Sequence, residues 1–242
     1  LLIALNQGHD RGWGSPEIVG LFAVALLLLG GFIAVERRTP SPMLDLTLFR
    51  SRTFSTSTVA ALCNYVCVYA VLFVLPFLLI QGRGLNTQQA GLLLTSQPIV
   101  MAIVAPLAGA LSDRIGSRIL AGGGMAVLTV GLLLLARFTP AAPLWMLAAA
   151  LAVIGVGIGL FTSPNNSALM GAAPRHRQGI AAGVLACARN VGMVLGVGLA
   201  GAVFTTILAA GGAGALAHGV QLTLFVSAGV AAAGTLVALL SR

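Results

Sequence analysis

The residue of this 242-residue chain with the plainest capacity for chemistry is a single arginine inside an apolar run. Arg189 lies ten residues beyond Gly179, in a stretch from 179 to 208 that holds no other charge. On a helix rising about 1.5 Å per residue it stands about 15 Å in. A guanidinium at that depth in hydrocarbon costs about 2.5–3.5 kcal/mol on insertion scales. It needs compensation from a carboxylate, a substrate, a domain contact, backbone carbonyls or a snorkelling route to the surface. Ala182, Ala186, Gly192 and Gly196 share its helical face. Such a small-residue stripe predicts close packing on a neighbouring helix, with Arg189 turned into protein.

A second group is aromatic and amide-bearing. Tyr65, Tyr69 and Phe73 recur at i, i+4 and i+8 beside Asn64, with Pro76 following, so the rings share one helical face. Such a face either lines a cavity for hydrophobic, weakly polar compounds or packs between helices. Gln97 and Met101 carry the same two readings, and Pro98 and Pro106 predict bends in their helix. His9, His176 and His218 are dispersed, and Cys63, Cys67 and Cys187 fall in apolar runs as small packing residues. Neither set reaches metal-ligand spacing, so no metal is expected. Gly155-Val156-Gly157-Ile158-Gly159 has no strand before it, and reads as a packing face and not as a nucleotide cradle.

The elements that position these residues follow from composition. Hydrophobic residues make up 58% of the chain and charged residues 7%, against about 25% charged in soluble domains. Seven apolar runs, at approximately 18–35, 54–80, 89–111, 119–136, 143–163, 179–208 and 219–240, approach or exceed the length that spans a bilayer, about 20 residues. Barrel strands would be about ten residues long and alternating. These runs predict helices that satisfy their own backbone hydrogen bonds. The fold class is all-α membrane protein. A soluble enzyme is excluded, and a membrane enzyme would need acidic or histidine clusters in the spans, which they lack.

The net charge of +8 comes from arginine alone. Nucleic-acid binding would need these arginines gathered on one solvated face; they are scattered between apolar runs and read as topology markers. Arg37, Arg38, Arg50, Arg52, Arg114, Arg118, Arg175, Arg177 and Arg242 fall on one side, and Arg11, Arg83 and Arg137 on the other. The arginine-rich side should face the cytoplasm, which places the C-terminus inside a multi-pass protein of the cell membrane. The loop 36–52 carries an amphipathic stretch whose Met43, Leu44, Leu48 and Phe49 are expected to dip into the membrane interface. Leu1–Leu5 reads as the stub of a preceding apolar segment, implying an upstream part.

The loop Gly109-Ala110-Leu111-Ser112-Asp113-Arg114-Ile115-Gly116-Ser117-Arg118 resembles the G-x-x-x-D-R-x-G-R-[KR] signature of the major facilitator superfamily, with Ser117 where the signature often has Arg. Gly12-Trp13-Gly14-Ser15-Pro16, Pro42-Met43-Leu44-Asp45-Leu46 with Leu48-Phe49, and Gly159 to Met170 around Pro164-Asn165-Asn166 extend the likeness. Together they are similar to the 14-helix drug:proton antiporters, the multidrug efflux transporters within that superfamily. The resemblance implies seven transmembrane helices, of which the last six form the C-terminal domain of a major facilitator fold. Residues 1–16 would be an outer loop with the helix stub, 17–52 an extra transmembrane helix with an interfacial linker, and 53–242 the six-helix transporter domain. It also implies that Gly109, Asp113, Arg114, Gly116 and Arg118 hold the inward side closed, and that the helix bearing Tyr65 lines a central cavity.

Functionally, the resemblance implies export of small organic compounds by alternating access, driven by a proton gradient and needing no cofactor. The partners would be the lipid bilayer, the substrate and the missing N-terminal half, where the coupling carboxylates of this family lie. A carrier for sugars, amino acids or siderophores, or a non-transporting scaffold or inactive truncation, is the alternative.

Overall fold

Apolar sequence and helix-capping chemistry account for the architecture. The computed structural model describes residues 15–36, 46–137, 142–212 and 214–240, and among them every regular element is helical. Helix α1 runs Pro16–Glu36. A 3-10 turn, Leu46–Arg50, precedes α2, Arg52–Pro76, which continues through π-helical turns at Phe77–Gly82. Then come α3, Thr87–Leu94; α4, Ser96–Ile115; α5, Ser117–Arg137; and α6, Leu144–Gly171. A 3-10 turn at Arg175–Arg177 leads into α7, Gln178–Ala210, and α8, Ala215–Leu239, ends the described chain.

Six spans are long and apolar enough to cross a membrane: Arg52–Gly82, Thr87–Ile115, Ser117–Arg137, Leu144–Gly171, Arg175–Ala210 and Ala215–Leu239. Helix α1 carries the remaining apolar run, and its Val19, Val24, Leu26, Leu27, Leu28 and Val35 are exposed.

Local chemistry sets the boundaries. Asn86 caps α3 by accepting from the Gln89 amide at 2.8 Å, while the Gln89 side chain accepts from the Asn86 amide at 3.3 Å. This reciprocal pair satisfies two amides that the first helical turn leaves open. Pro98 has no N–H to offer the Leu94 carbonyl, and the helix breaks at Thr95 into α3 and α4. The bend expected from Pro98 is thus a break, whereas Pro106 lies within continuous helix. Gly116, at φ +90°, makes the reversal between α4 and α5.

The six spans pack as two interlocked triplets. Helix α2 lies against α7 and α8 of the second triplet, while α6 lies against α4 and α5 of the first; α5 and α8 pack on each other. Lipid supplies no hydrophobic drive between helices, so close backbone approach and dispersion hold such a bundle together. The Gly155, Gly157 and Gly159 face shows how. Gly155 meets the backbone of Gln97, Gly159 meets Val104 on α4, and Gly157 meets Leu128 on α5. This glycine row lets α6 lie in the groove between two helices.

Candidate functional site

Helix α7 buries Ala181, Val184, Ala188, Gly192, Gly196, Ala200 and Phe204. That stripe packs against Leu62, Tyr65 and Val66 of α2 through Gly192 and Gly196. The expected face was one residue off at its start: Ala182 is exposed and Ala186 half-buried, while Ala181 and Ala188 make the contact. Arg189 stands about 100° round the helix from Ala188 and is exposed. Within this chain it does not turn into protein, because the tight α2–α7 crossing has room only for small residues. It makes no hydrogen bond or ion pair among the described residues.

Tyr65 lies within electrostatic reach of both Arg189 and Tyr69. The half-buried phenols of α2 and the exposed guanidinium of α7 therefore flank one crossing. Phe73 continues this side into an aromatic group, with its ring centroid 5.5 Å from Phe77, which is in turn 5.0 Å from Phe204. The structure thus gathers Tyr65, Tyr69 and Arg189, with Phe73 in the aromatic group beyond.

Asn64 is placed elsewhere. It is 1% exposed and donates through Nδ2 to the Met125 sulfur on α5 at 3.6 Å, so here it lines no cavity. The i+1 offset from Asn64 to Tyr65 separates the amide from the aromatic face. Gln97 and Met101 are half-buried on α4, with the Gln97 backbone against Gly155. Cys67 is buried and Cys63 lies against Gly234, whereas Cys187, expected as a packing residue, is exposed.

Asp113 and Arg114 lie in the last turn of α4 and Arg118 in the first turn of α5, so the expected loop is reduced to Gly116; all three side chains are exposed and make no ion pair among the described residues. Gly109 does not make the turn: it sits within α4, where a Cβ would stand 2.8 Å from the Ser163 hydroxyl of α6. Ser112 is buried and donates to the Gly109 carbonyl at 3.0 Å.

Leu48 is 5% exposed and packs with Phe54, Leu169, Ala173, Ala181 and Val184. It plugs the bundle and does not dip into a membrane interface, while Phe49 stacks edge-to-face on Phe54 at 5.2 Å. The Arg177 guanidinium donates to the Thr47 hydroxyl at 3.0 Å, which ties the turn to the start of α7. Met43, Leu44, the Gly12–Gly14 stretch and the Leu1–Leu5 stub lie outside the described residues.

The profile of the Major Facilitator Superfamily matches residues 57–242. The chain belongs to the major facilitator superfamily. Membership and the six apolar spans make it part of an all-α, multi-pass membrane protein, in a family of carriers and not of enzymes. Among curated relatives, it is 32% identical over 197 residues to the riboflavin transporter RibZ of Clostridioides difficile, covering 81% of this chain and 42% of that protein. It is 31% identical over 211 residues to the multidrug resistance protein Stp of Mycobacterium tuberculosis, covering 87% and 39%. It is also 30% identical over 207 residues to a tetracycline resistance determinant of Streptomyces rimosus, covering 81% and 57%. The chain spans about two fifths of the length of the first two relatives.

Proposed function

We propose that this chain is the C-terminal portion of a 14-helix secondary transporter that exports small organic compounds or drugs by alternating access and proton antiport. The observation that carries this reading is the uncompensated Arg189 beside Tyr65 and Tyr69 on the open side of the α2–α7 crossing. An intramembrane cation that makes no hydrogen bond or ion pair among the described residues calls for a partner beyond them, in an upstream half or in a substrate. The pattern of exposure supports the upstream half. In the apolar windows of Arg52–Gly82 and Leu144–Gly171, 50% of residues are buried, against 6% for Thr87–Ile115 and 22% for Arg175–Ala210. The α3–α4 and α7 faces are those a second domain would cover.

In this reading residues 17–52 form an extra transmembrane helix with its linker, 53–242 form the transporter domain, and residues 1–16 form an outer loop. The arginine bias places the α4–α5 loop and the C-terminus in the cytoplasm of a cell-membrane protein. Gly109, Asp113, Arg114, Gly116 and Arg118 act as a gating loop whose exposed charges meet the upstream half. Tyr65, Tyr69 and Phe73 line the cavity, with Gln97 and Met101 at its edge. Proton coupling relies on carboxylates outside this chain's spans.

Ethidium efflux from cells expressing the full-length gene, with and without a protonophore, tests the function. Protonophore-sensitive efflux is expected; retention equal to empty-vector cells overturns the drug-export reading. Likeness to a riboflavin transporter favours a second reading, a carrier for another solute class, which riboflavin uptake in the same cells would reveal. For topology, single cysteines at the exposed Gln81 and His176, in a background with Cys187 replaced, should label from opposite sides.

A further inference from the structure

At one end of the bundle, four helices enclose a small polar pocket that lies apart from the Tyr65, Tyr69 and Phe73 face and shares Arg118 with the α4–α5 turn. It is lined by Ser57 of α2, Ser117, Arg118 and Ala121 of α5, Asn165 and Ala168 of α6, and Ala238 of α8. Ser57 is 4% exposed, and its hydroxyl has no hydrogen-bond partner among the described residues, although its carbonyl accepts from Asn165 Nδ2 at 3.2 Å. The residue is buried while lining the cavity, so its hydroxyl can donate to an acceptor that enters there. Ser117 and Arg118 open α5, a helix of 21 residues whose first amides point out of the helix and whose dipole favours negative charge. Arg118 itself is exposed and without an ion pair among the described residues, and Asp113, the nearby carboxylate, does not line the pocket.

Size and surroundings narrow the ligand. The cavity is about 10 Å³, room for one oxygen-sized group. A whole free anion does not fit inside, whereas one oxygen of a larger group can enter while the remainder lies over Arg118. Beside the opening, Ile119 of α5 and Leu236, Leu239 and Leu240 at the end of α8 are exposed, so the outer wall suits hydrocarbon. The ligand should therefore pair an oxyanion with acyl chains. We propose that this pocket binds a phosphate oxygen of an anionic phospholipid, held by the Ser57 and Ser117 hydroxyls, the α5 amides and Arg118. The site sits at the membrane boundary, where the α4–α5 loop meets the bundle. It stands independently of what the transporter carries.

Native mass spectrometry of the full-length protein in neutral detergent tests it. Phosphatidylglycerol, a phosphate-free galactolipid of the same acyl chains and inorganic phosphate are titrated in separate arms. The wild type should bind one phosphatidylglycerol selectively. Arg118→Gln should raise the Kd of that lipid about tenfold, Ser57→Ala several-fold, and Arg118→Lys least. Ser57→Ala keeps the test intact if Arg118→Gln does not fold. Equal Kd across wild type and variants, or equal retention of the galactolipid, overturns the site. Inorganic phosphate binding as tightly as the lipid would overturn the lipid assignment.

Discussion

A Cβ built on Gly196 would stand 2.5 Å from the Val66 carbonyl oxygen, so α7 crosses α2 with backbone against backbone. Four residues earlier, a Cβ on Gly192 would stand 2.6 Å from the Tyr65 Cβ. The crossing that brings Arg189 near Tyr65 thus depends on two missing side chains.

Gly196→Val should force the helices apart and cost about 1–3 kcal/mol through overpacking. Gly183→Ala is the control, since nothing lies within 4 Å of a Cβ there. Thermal unfolding in detergent should show a clear fall in Tm for the first variant and none for the second. An unchanged Tm for Gly196→Val would mean the crossing is looser than described.

Arg189→Ala separates structure from transport. The side chain is exposed and bonds to nothing among the described residues, so its removal leaves no buried partner stranded. Stability should change by less than about 0.5 kcal/mol, while efflux falls at least about tenfold, the loss expected of one charge-assisted contact. Arg189→Lys should retain part of the activity. Full efflux by Arg189→Ala would reduce the residue to a surface charge.

The α-helical membrane class and the apolar runs were legible because apolar length alone specifies a span. The glycine row 155–159 was legible as a packing face because small residues repeated along an apolar span let helix backbones approach closely. What failed was rotation. The helical wheel put Arg189 on the stripe with Ala182 and Ala186, but a 33-residue helix packed by Ala188, Gly192 and Gly196 carries it off the seam. Asn64 was grouped with Tyr65 by adjacency, although a 100° step separates neighbours on a helix. Leu48 was read from amphipathicity as lipid-facing, and periodicity cannot tell a lipid interface from a groove in the protein.

The Leu48 plug predicts a measurable latch. Leu→Ala in a packed site costs about 2–5 kcal/mol, so opening of the 46–50 turn should rise more than tenfold in Leu48→Ala. Loss of the exposed Arg177–Thr47 hydrogen bond in Arg177→Ala should shift it by about tenfold or less. Limited trypsin cleavage after Arg50, followed over time in detergent, reads both. Equal cleavage rates in Leu48→Ala and wild type would show that the turn is held by something else.

Asn64 offers the sharpest division between packing and cavity. Its amide is buried and, among the described residues, donates only to a thioether sulfur, a weak acceptor, at 3.6 Å. A leucine of similar volume removes the desolvated amide and leaves Met125 with an apolar neighbour. Replacing a buried, poorly satisfied amide by hydrocarbon of similar volume, with only a thioether left opposite it, is close to neutral or stabilising. Asn64→Leu should therefore keep or raise the Tm and leave efflux within about twofold of wild type, whereas Tyr65→Ala should depress efflux. The opposite pattern, a stable Asn64→Leu protein that no longer transports, would show that α2 rotates during the cycle. The amide would then reach the cavity in another state, and the face bearing Tyr65 and Tyr69 would not be the only one that substrate meets.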